Sequence, residues 1–134
     1  MTCIVGLVDK KVVYVGGDSA SVSGWTSRVT RLPKVFRKGP FLIGYTTSFR
    51  MGQLLEHALQ VPAQQQRDRD DMRYMVTVFV EHVRALLKDR GMAKIEANSE
   101  SAGQFLVGYR GRLYSVQQDF QVNEMADGFD AVGS

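Results

Sequence analysis

The second residue carries the first chemical suggestion in this sequence. Thr2 follows Met1, and removal of that methionine would leave a threonine with both a hydroxyl and a free α-amine. An α-amine titrates at about pH 7.7–8.0, so it can act as a general base toward the hydroxyl beside it. The apolar run Cys3–Val8 predicts a strand that would hold this terminus in a sheet. While Met1 is present, Thr2 has no base of its own.

Two charged residues follow Thr2 at regular distances. Asp18 lies sixteen residues after Thr2, and Lys34 lies thirty-two residues after it. A cation near the nucleophile lowers the proton affinity of the amine and the hydroxyl, and a carboxylate paired with that cation fixes its position. If three strands lie side by side, Lys34 fits the first role and Asp18 the second. This is the threonine form of the nucleophile, base and orienter arrangement.

Each of these residues also has a plainer interpretation. Asp18 follows two glycines and is typical of a turn, while Lys34 belongs to a basic segment and is typical of a solvated surface. His57 and His82 fall on predicted helices, where we interpret them as surface or core residues. Cys3 follows the nucleophile directly, so its side chain should point to the opposite sheet face and pack in the core.

The apolar periodicity predicts strands, then two helices, then strands. Strands and turns are predicted up to Thr47 and again from Phe105 to the end, with a polar linker at 94–103. Ser48 is a predicted N-cap of the first helix, and the second begins near Asp68–Asp71. Segregated blocks of this kind predict an α+β layered fold in a single domain, 1–134. The second helix has the apolar stripe Met72, Met75, Val76, Phe79, Val80, Val83, Leu86 and Leu87.

Composition excludes several classes of protein. The 134 residues contain no apolar run long enough to span a membrane and no basic region typical of a secretory signal. The single cysteine, Cys3, cannot form an internal disulfide, which favours a reducing, cytoplasmic location. The segment 28–50 holds six basic residues and no acidic one, so a nucleic-acid or phosphate-binding face is the alternative.

The sequence resembles the proteasome β-subunit-like N-terminal nucleophile (Ntn) hydrolases, which include bacterial proteasome-related peptidases. The resemblance covers essentially the whole chain. Its motifs are Thr2 after one methionine, the apolar opening 4–6, the block Val15–Ser19, the position of Lys34, the strand-to-helix junction 42–48, and the closing turn Ala131–Ser134.

This resemblance implies a role for particular residues. Thr2 would supply the attacking oxygen and the base, Lys34 the activating charge, and Asp18 the carboxylate that holds it. Backbone N–H groups of Thr47 and Ser48, which replace the family's usual glycine, would form the oxyanion hole. Ser134 would support the nucleophile's hydrogen-bond network. Substrate peptide would add as a strand along 21–23 and 46–48, with Ser21, Val22, Leu32, Thr46 and Arg50 as binding residues.

The implied fold is an αββα sandwich of two antiparallel sheets between two helix layers. Family members continue after the closing turn with a second helix pair, so this chain is expected to lack that C-terminal pair. One sheet face would then be uncovered and would expose more apolar area than soluble monomers usually do.

The implied function is a threonine-type peptidase or amidase that works through an acyl-enzyme. Its substrate would be peptide or unfolded protein, its assembly a self-compartmentalising homo-oligomeric ring, and an ATP-dependent unfoldase a possible partner; no metal or cofactor is implied. A catalytically inactive ring or scaffold subunit is the alternative of the same fold. The weaker alternative is a nucleic-acid or phosphate-binding module that uses the segment 28–50.

Overall fold

The fold is described from a computed structural model. It covers residues 3–17, 20–23, 26–29, 34–46, 48–92, 94–96, 99–101 and 103–133, with the backbone alone at 20–23, 26–29, 94–96 and 99–101. The helices are α1 (Phe49–His57), α2 (Asp71–Tyr74) and α3 (Val80–Asp89), with a 3-10 turn at Gln66–Asp68 and a π-helical turn at Met75–Phe79. The strands are β1 (Cys3–Asp9), β2 (Val12–Gly17), β3 (Ala20–Ser23), β4 (Thr26–Val29), β5 (Val35–Lys38), β6 (Phe41–Tyr45), β7 (Lys94–Glu96), β8 (Ser99–Ser101), β9 (Phe105–Tyr109), β10 (Arg112–Val116), β11 (Val122–Glu124) and β12 (Phe129–Gly133).

The larger strands form two antiparallel sheets. One has the order β12-β1-β2, and the other has the order β11-β10-β9-β6-β5. Strands β3 and β4 pair with each other, as do β7 and β8. The prediction of two antiparallel sheets is therefore confirmed. The structure differs at 94–103, where a polar linker was predicted and a short hairpin is found.

The two sheets pack face to face around a small aliphatic core. Ile4, Leu106, Leu113 and Val132 are its buried members. Ile4 occupies the space above two glycines, because a Cβ on Gly17 would overlap its Cδ1 and a Cβ on Gly44 would lie 2.6 Å from its Cγ2. Gly17 lies on the neighbouring strand and Gly44 lies in the facing sheet, so this side chain sets how closely the sheets approach.

The helices cover the other face of the five-stranded sheet. Their core is rich in aromatic rings, with Phe41 and Phe79 4.7 Å apart between centroids. The predicted stripe of the second helix is buried at Met75, Phe79, Val80, Val83 and Leu87 and partly buried at Met72 and Leu86. Val76 departs from it, since it is 45% exposed. The reason is the π-helical turn, where the N–H of Val80 donates to the carbonyl of Met75 and so changes the helical phase.

The outer face of the three-stranded sheet is exposed and apolar. Val5, Leu7, Tyr14 and Phe129 are 52%, 46%, 54% and 61% exposed. This confirms the expectation of one uncovered sheet face. The prediction of a core position for Cys3 is wrong: side chains alternate along a strand, Ile4 points inward, and Cys3 is exposed on the outer side.

In the part of the chain that the structure describes, no helix combines the length and apolar character needed to cross a bilayer.

The glycine pair at the end of β2 gives a matched test of the sheet packing. We expect Gly17→Ala to lower the free energy of unfolding by about 1–3 kcal/mol, because the new methyl group overlaps Ile4. Gly16→Ala is the control, since a Cβ there meets no atom within 4 Å. Urea unfolding followed by circular dichroism measures both variants. Equal effects of the two substitutions would contradict this account of Ile4.

Tyr74, a buried residue of the helix layer, makes the stability of the fold depend on pH in the alkaline range. Burial, then Tyr109 and the Asp68 carboxylate, raise the pKa of Tyr74 to about 12, and its hydroxyl donates to the carbonyl of Pro62 at 2.6 Å. An unfolded tyrosine titrates near pH 10, so the folded chain holds this proton more tightly. Tyr74 therefore stabilises the fold fully below about pH 10, and this contribution is lost as the pH rises through 12.

We expect Tyr74→Phe to cost about 1 kcal/mol at pH 7, because the hydrogen bond is lost. It should also make the fall in unfolding free energy between about pH 10 and 12 shallower. Urea titrations at a series of pH values measure both effects. Tyr14→Phe, at an exposed position, is the control and should leave the pH dependence unchanged. An unaltered alkaline slope in Tyr74→Phe would contradict the assignment.

Candidate active site

Three strand ends meet at one edge of the three-stranded sheet. Cys3, at the start of β1, pairs with Gly133 at the end of β12. Ile4 pairs with Gly17 at the end of β2. These described residues are adjacent in the sequence to three of the predicted site residues. Thr2, Asp18 and Ser134 themselves, like Leu32 and Thr47, lie outside the described residues.

The facing sheet reaches the same end from across the interface. β5 begins at Val35, whose Cγ2 lies 3.6 Å from the position of a Cβ on Gly17. The condition that three strands lie side by side is met only in part: β1 and β2 are paired, but β5 is the edge strand of the other sheet. Lys34 directly precedes β5. It therefore belongs to the sheet that faces β1 and β2, not to the sheet that contains them.

Lys34 is a buried cation at the start of α1. Only 3% of the residue is exposed, and its Nζ lies 5.6 Å from the centroid of the Phe49 ring. Burial of an ammonium group is costly unless partners compensate it, and a desolvated cation–π contact contributes about 2 kcal/mol. Its carbonyl accepts from the N–H of Tyr45 at 3.0 Å, which fixes the backbone beside β6. The solvated-surface interpretation of Lys34 is thus excluded.

Ser48 caps α1, as predicted. Its backbone is extended, with φ −136° and ψ 124°, and its Oγ accepts from the N–H of Met51 at 3.3 Å. A capped helix start concentrates partial positive charge, which favours a developing anion nearby. The N–H of Ser48 donates to the carbonyl of Thr46 at 2.9 Å in this conformation. An oxyanion would have to replace or share that carbonyl.

Thr46 joins the end of β6 to the segment before β9. It is 1% exposed, and both its N–H and its Oγ1 donate to the carbonyl of Gln104, at 3.0 and 2.9 Å. The proton of the Thr46 hydroxyl is therefore used in a hydrogen bond that holds two segments of the fold together. Sequence reasoning did not identify Gln104, because a carbonyl acceptor leaves no signal in residue type.

The remaining predicted binding residues occupy different places. Ser21 and Val22 belong to β3, where they pair with Arg28 and Ser27 of β4. Arg50 is exposed and lines a groove of about 310 Å³ that lies between α1 and the end of α3, together with His57 and Arg90. The exposed state of His57 agrees with its interpretation as a surface residue.

The basic segment 28–50 does not form one positive face among its described residues. Arg37 and Lys38 lie at the end of β5, whereas Lys34 and Arg50 lie at the opposite end of the β5–β6 hairpin. The Nζ of Lys38 donates to the carbonyl of Glu56 at 2.8 Å. A continuous nucleic-acid track along this segment is not supported by that placement.

Tyr45 connects α1 to the buried lysine. Its ring packs on Gly52 of α1, where a Cβ would overlap the ring, and it meets Phe49 edge to face at 6.2 Å. Burial first, and then the Glu56 carboxylate, raise the pKa of Tyr45, so the phenol is neutral at ordinary pH. Gly52, Tyr45, Phe49 and Lys34 therefore form a continuous series of contacts from the helix to the candidate site.

Among the described residues, no three His, Cys, Asp or Glu side chains are grouped so that they could hold a metal ion.

The chain is similar in fold to several solved structures. BPH of Thiobacillus denitrificans, solved in complex with epoxomicin, matches with a TM-score of 0.77 at 17% identity, over 99% of this chain and 72% of BPH. HslV of Trypanosoma brucei matches with a TM-score of 0.65 at 18% identity, over 99% of this chain and 72% of HslV. An Anbu mutant from Hyphomicrobium sp. strain MC1 matches with a TM-score of 0.65 at 16% identity, over 100% of this chain and 61% of Anbu.

At these identities the similarity is one of fold. No protein-family model matches the sequence, and no curated protein matches it. The two antiparallel sheets and their helix layer are thus the arrangement that this chain shares with BPH, HslV and Anbu.

Gly52 provides a test of the contacts that lead to Lys34. In an ordinary helix, Gly→Ala stabilises by about 0.5–1 kcal/mol. We expect Gly52→Ala to destabilise by about 1–3 kcal/mol, because the methyl group displaces the Tyr45 ring. Urea unfolding measures the sign, with Gln53→Ala as the neighbouring control. A more stable Gly52→Ala protein would refute the close packing of Tyr45 on α1.

Proposed function

We propose that this protein is a threonine-type peptidase or amidase of the Ntn-hydrolase kind, with Thr2 as its nucleophile once Met1 is removed. The observation that carries the proposal is the buried Lys34 at the end of the sandwich where β1 starts and β2 and β12 end. The sequence resemblance and the fold shared with BPH and HslV support it. The αββα arrangement without its C-terminal helix pair, as a single domain over 1–134 that is incomplete relative to the family, is part of the proposal.

The proposed reaction passes through an ester on Thr2. Its α-amine removes the hydroxyl proton as Oγ bonds to the substrate carbonyl carbon, and the amine then gives that proton to the departing nitrogen as the C–N bond breaks. Water next attacks the ester with the same amine as base. The new carboxylate leaves, and Oγ regains its proton.

Lys34 supplies a fixed positive charge to this reaction. In a buried site the charge acts through a low effective dielectric, so it favours the deprotonated oxygen more than a solvated lysine would. Asp18 is proposed to hold the ammonium group from one side, while Phe49 packs against it from the other. Ser134 is proposed to complete the hydrogen bonds around the nucleophile.

The oxyanion is proposed to bind at the start of α1. The N–H groups of Thr47 and Ser48 are the proposed donors, and the capped helix start adds favourable electrostatics. Because the N–H of Ser48 donates to the carbonyl of Thr46, substrate must compete for it. This bond favours the second candidate function, an inactive ring or scaffold subunit, to the extent that it persists with substrate present.

Substrate is proposed to bind as an added strand. Among the described strands, β3 pairs only with β4, so its other edge can accept an extended peptide beside Ser21 and Val22. Leu32, Thr46 and Arg50 complete the proposed binding residues. A homo-oligomeric ring would confine this reaction to a chamber, and an ATP-dependent unfoldase would supply unfolded protein to it.

Fluorogenic peptides with apolar, acidic and basic residues before the reporter test the proposal. We expect Thr2→Ala to reduce hydrolysis at least about a thousandfold, because alanine has no hydroxyl with which to form the acyl-enzyme. Lys34→Met should lower kcat about a hundredfold or more at similar side-chain volume. Intact mass should show loss of Met1 and, with slow substrates, an acyl adduct.

His82→Ala is the control for these measurements, because this exposed residue lies on α3 and its ring nitrogen contacts only the helix carbonyl of Val78 within the described residues. It should retain the parental rate. Undiminished hydrolysis in Thr2→Ala would exclude the proposed nucleophile. Retained Met1 together with no hydrolysis of any peptide would establish the scaffold alternative.

A further inference from the structure

Three hairpin turns lie at the end of the sheets opposite to the candidate active site. Each turn has two residues: Lys10-Lys11 joins β1 to β2, Gly39-Pro40 joins β5 to β6, and Arg110-Gly111 joins β9 to β10. β6 runs from this end to Tyr45, the residue before Thr46. Its five residues separate the two ends by roughly 15 Å at the usual rise per residue.

The turns enclose a shallow depression. Those of β1–β2 and β9–β10 touch, because a Cβ on Gly111 would lie 2.7 Å from the carbonyl oxygen of Lys11. The depression has a volume of about 290 Å³ and combines cationic side chains with an aliphatic wall. Its cationic lining is Lys11, Arg37 and Arg110, and Lys10 is the neighbour of Lys11 in the same turn. We call the depression together with Lys10 the basic hairpin end. Its aliphatic wall includes Val12, Val13, Pro40 and Leu42.

The basic side chains at this end outnumber the acidic side chains that pair with them. Arg110 pairs with Asp71 at 3.3 Å and also approaches Gln64. Lys10, Lys11 and Arg37 are exposed, and no ion pair involves them among the residues that the structure describes. The acidic side chain next in sequence to the first turn is Asp9, also exposed. The depression therefore keeps an excess of positive charge that an external anion can neutralise.

The backbone at these cations is in an unfavourable region. Lys10 and Lys11 have φ values of 51° and 64°, and Arg110 has 51°. Two-residue hairpin turns with positive φ strongly prefer Asn-Gly or Asp-Gly, and other residues cost about 1 kcal/mol or more each. The sequence thus places lysine, lysine and arginine where backbone energetics favours other residues. Such strain is typical of positions kept for their side chains.

We propose that the basic hairpin end binds an acidic peptide segment of a partner protein, with an apolar side chain of that segment seated on the aliphatic wall. Ammonium and guanidinium groups recognise carboxylates through charge-assisted hydrogen bonds. Nucleic acid fits less well, because binding along its backbone needs an extended row of cations and aromatic side chains, whereas Lys11, Arg37 and Arg110 line one small depression.

The sharpest variant is Lys10→Asn/Lys11→Gly, which removes two charges and installs the preferred turn residues. We expect its thermal midpoint to stay the same or rise, because the strained residues are replaced. Binding of a fluorescein-labelled, amidated peptide of alternating Glu and Leu is measured by anisotropy. Its Kd should rise at least tenfold in the variant, and Arg37→Gln should weaken binding severalfold.

All binding is measured in a Thr2→Ala background, so that cleavage cannot change the signal and the result does not depend on the proposed peptidase activity. Arg69→Gln/Arg73→Gln is the matched control, since it removes two exposed charges from the helix layer. Its Kd should stay within twofold of the parent. A Gln-Leu peptide of equal length should bind at least tenfold more weakly than the Glu-Leu peptide.

Four results would overturn the proposal. These are no binding of the Glu-Leu peptide to the parent, an unchanged Kd in both Lys10→Asn/Lys11→Gly and Arg37→Gln, an equal loss in the helix-layer control, and tighter binding of a single-stranded DNA oligonucleotide than of the peptide.

Discussion

The position of Ile4 between the two sheets is the contact on which the geometry of the candidate site depends. Ile4 lies directly over Gly17 of its own sheet and Gly44 of the facing sheet. Close packing of this kind fixes the separation and offset of the sheets, since interiors tolerate little overlap or empty space. The strand ends near Thr2 and Asp18 belong to one sheet, and Lys34 belongs to the other. The separation of the starts of β1 and β5 is therefore set by Ile4, which is not one of the proposed catalytic residues.

A second series of contacts ties the helix layer to the same end. Gly52 admits the Tyr45 ring, Tyr45 meets Phe49, and Phe49 packs against the ammonium group of Lys34. A lysine has high side-chain entropy, so a fixed orientation requires surrounding contacts. Here, aromatic packing supplies them. The orientation of the Lys34 ammonium group thus depends on the fit of α1 against β6.

Much of this arrangement could be predicted from the sequence, because periodicity and turn residues report local structure. The cap at Ser48 and the two antiparallel sheets were predicted correctly. Which sheet holds Lys34 was not, because that depends on long-range pairing. Cys3 was placed in the core because strand alternation gives two faces but does not tell which of them is covered.

Contacts made by backbone groups were also beyond sequence reasoning. The carbonyl of Gln104 binds Thr46, and the carbonyl of Thr46 accepts from the N–H of Ser48, although no residue type signals either bond. The π-helical turn that exposes Val76 was not predicted either, because the apolar stripe is typical of an uninterrupted α-helix. Local sequence patterns thus predicted the helices and strands. Which polar groups are already hydrogen-bonded within the fold depends on tertiary contacts, which those patterns do not report.

The two ends of the sheets can act separately because of the distance between them. At physiological ionic strength the Debye length is about 8 Å, and the strands separate the ends by roughly twice that. Exposed turn charges are therefore largely screened from the candidate site, while the buried Lys34 responds mainly to its immediate surroundings. Any coupling between the proposed partner at the hairpins and the proposed chemistry at Thr2 would therefore be mechanical. β6 is the direct route, because it begins beside Pro40 and ends at Tyr45, whose ring packs on Gly52 of α1.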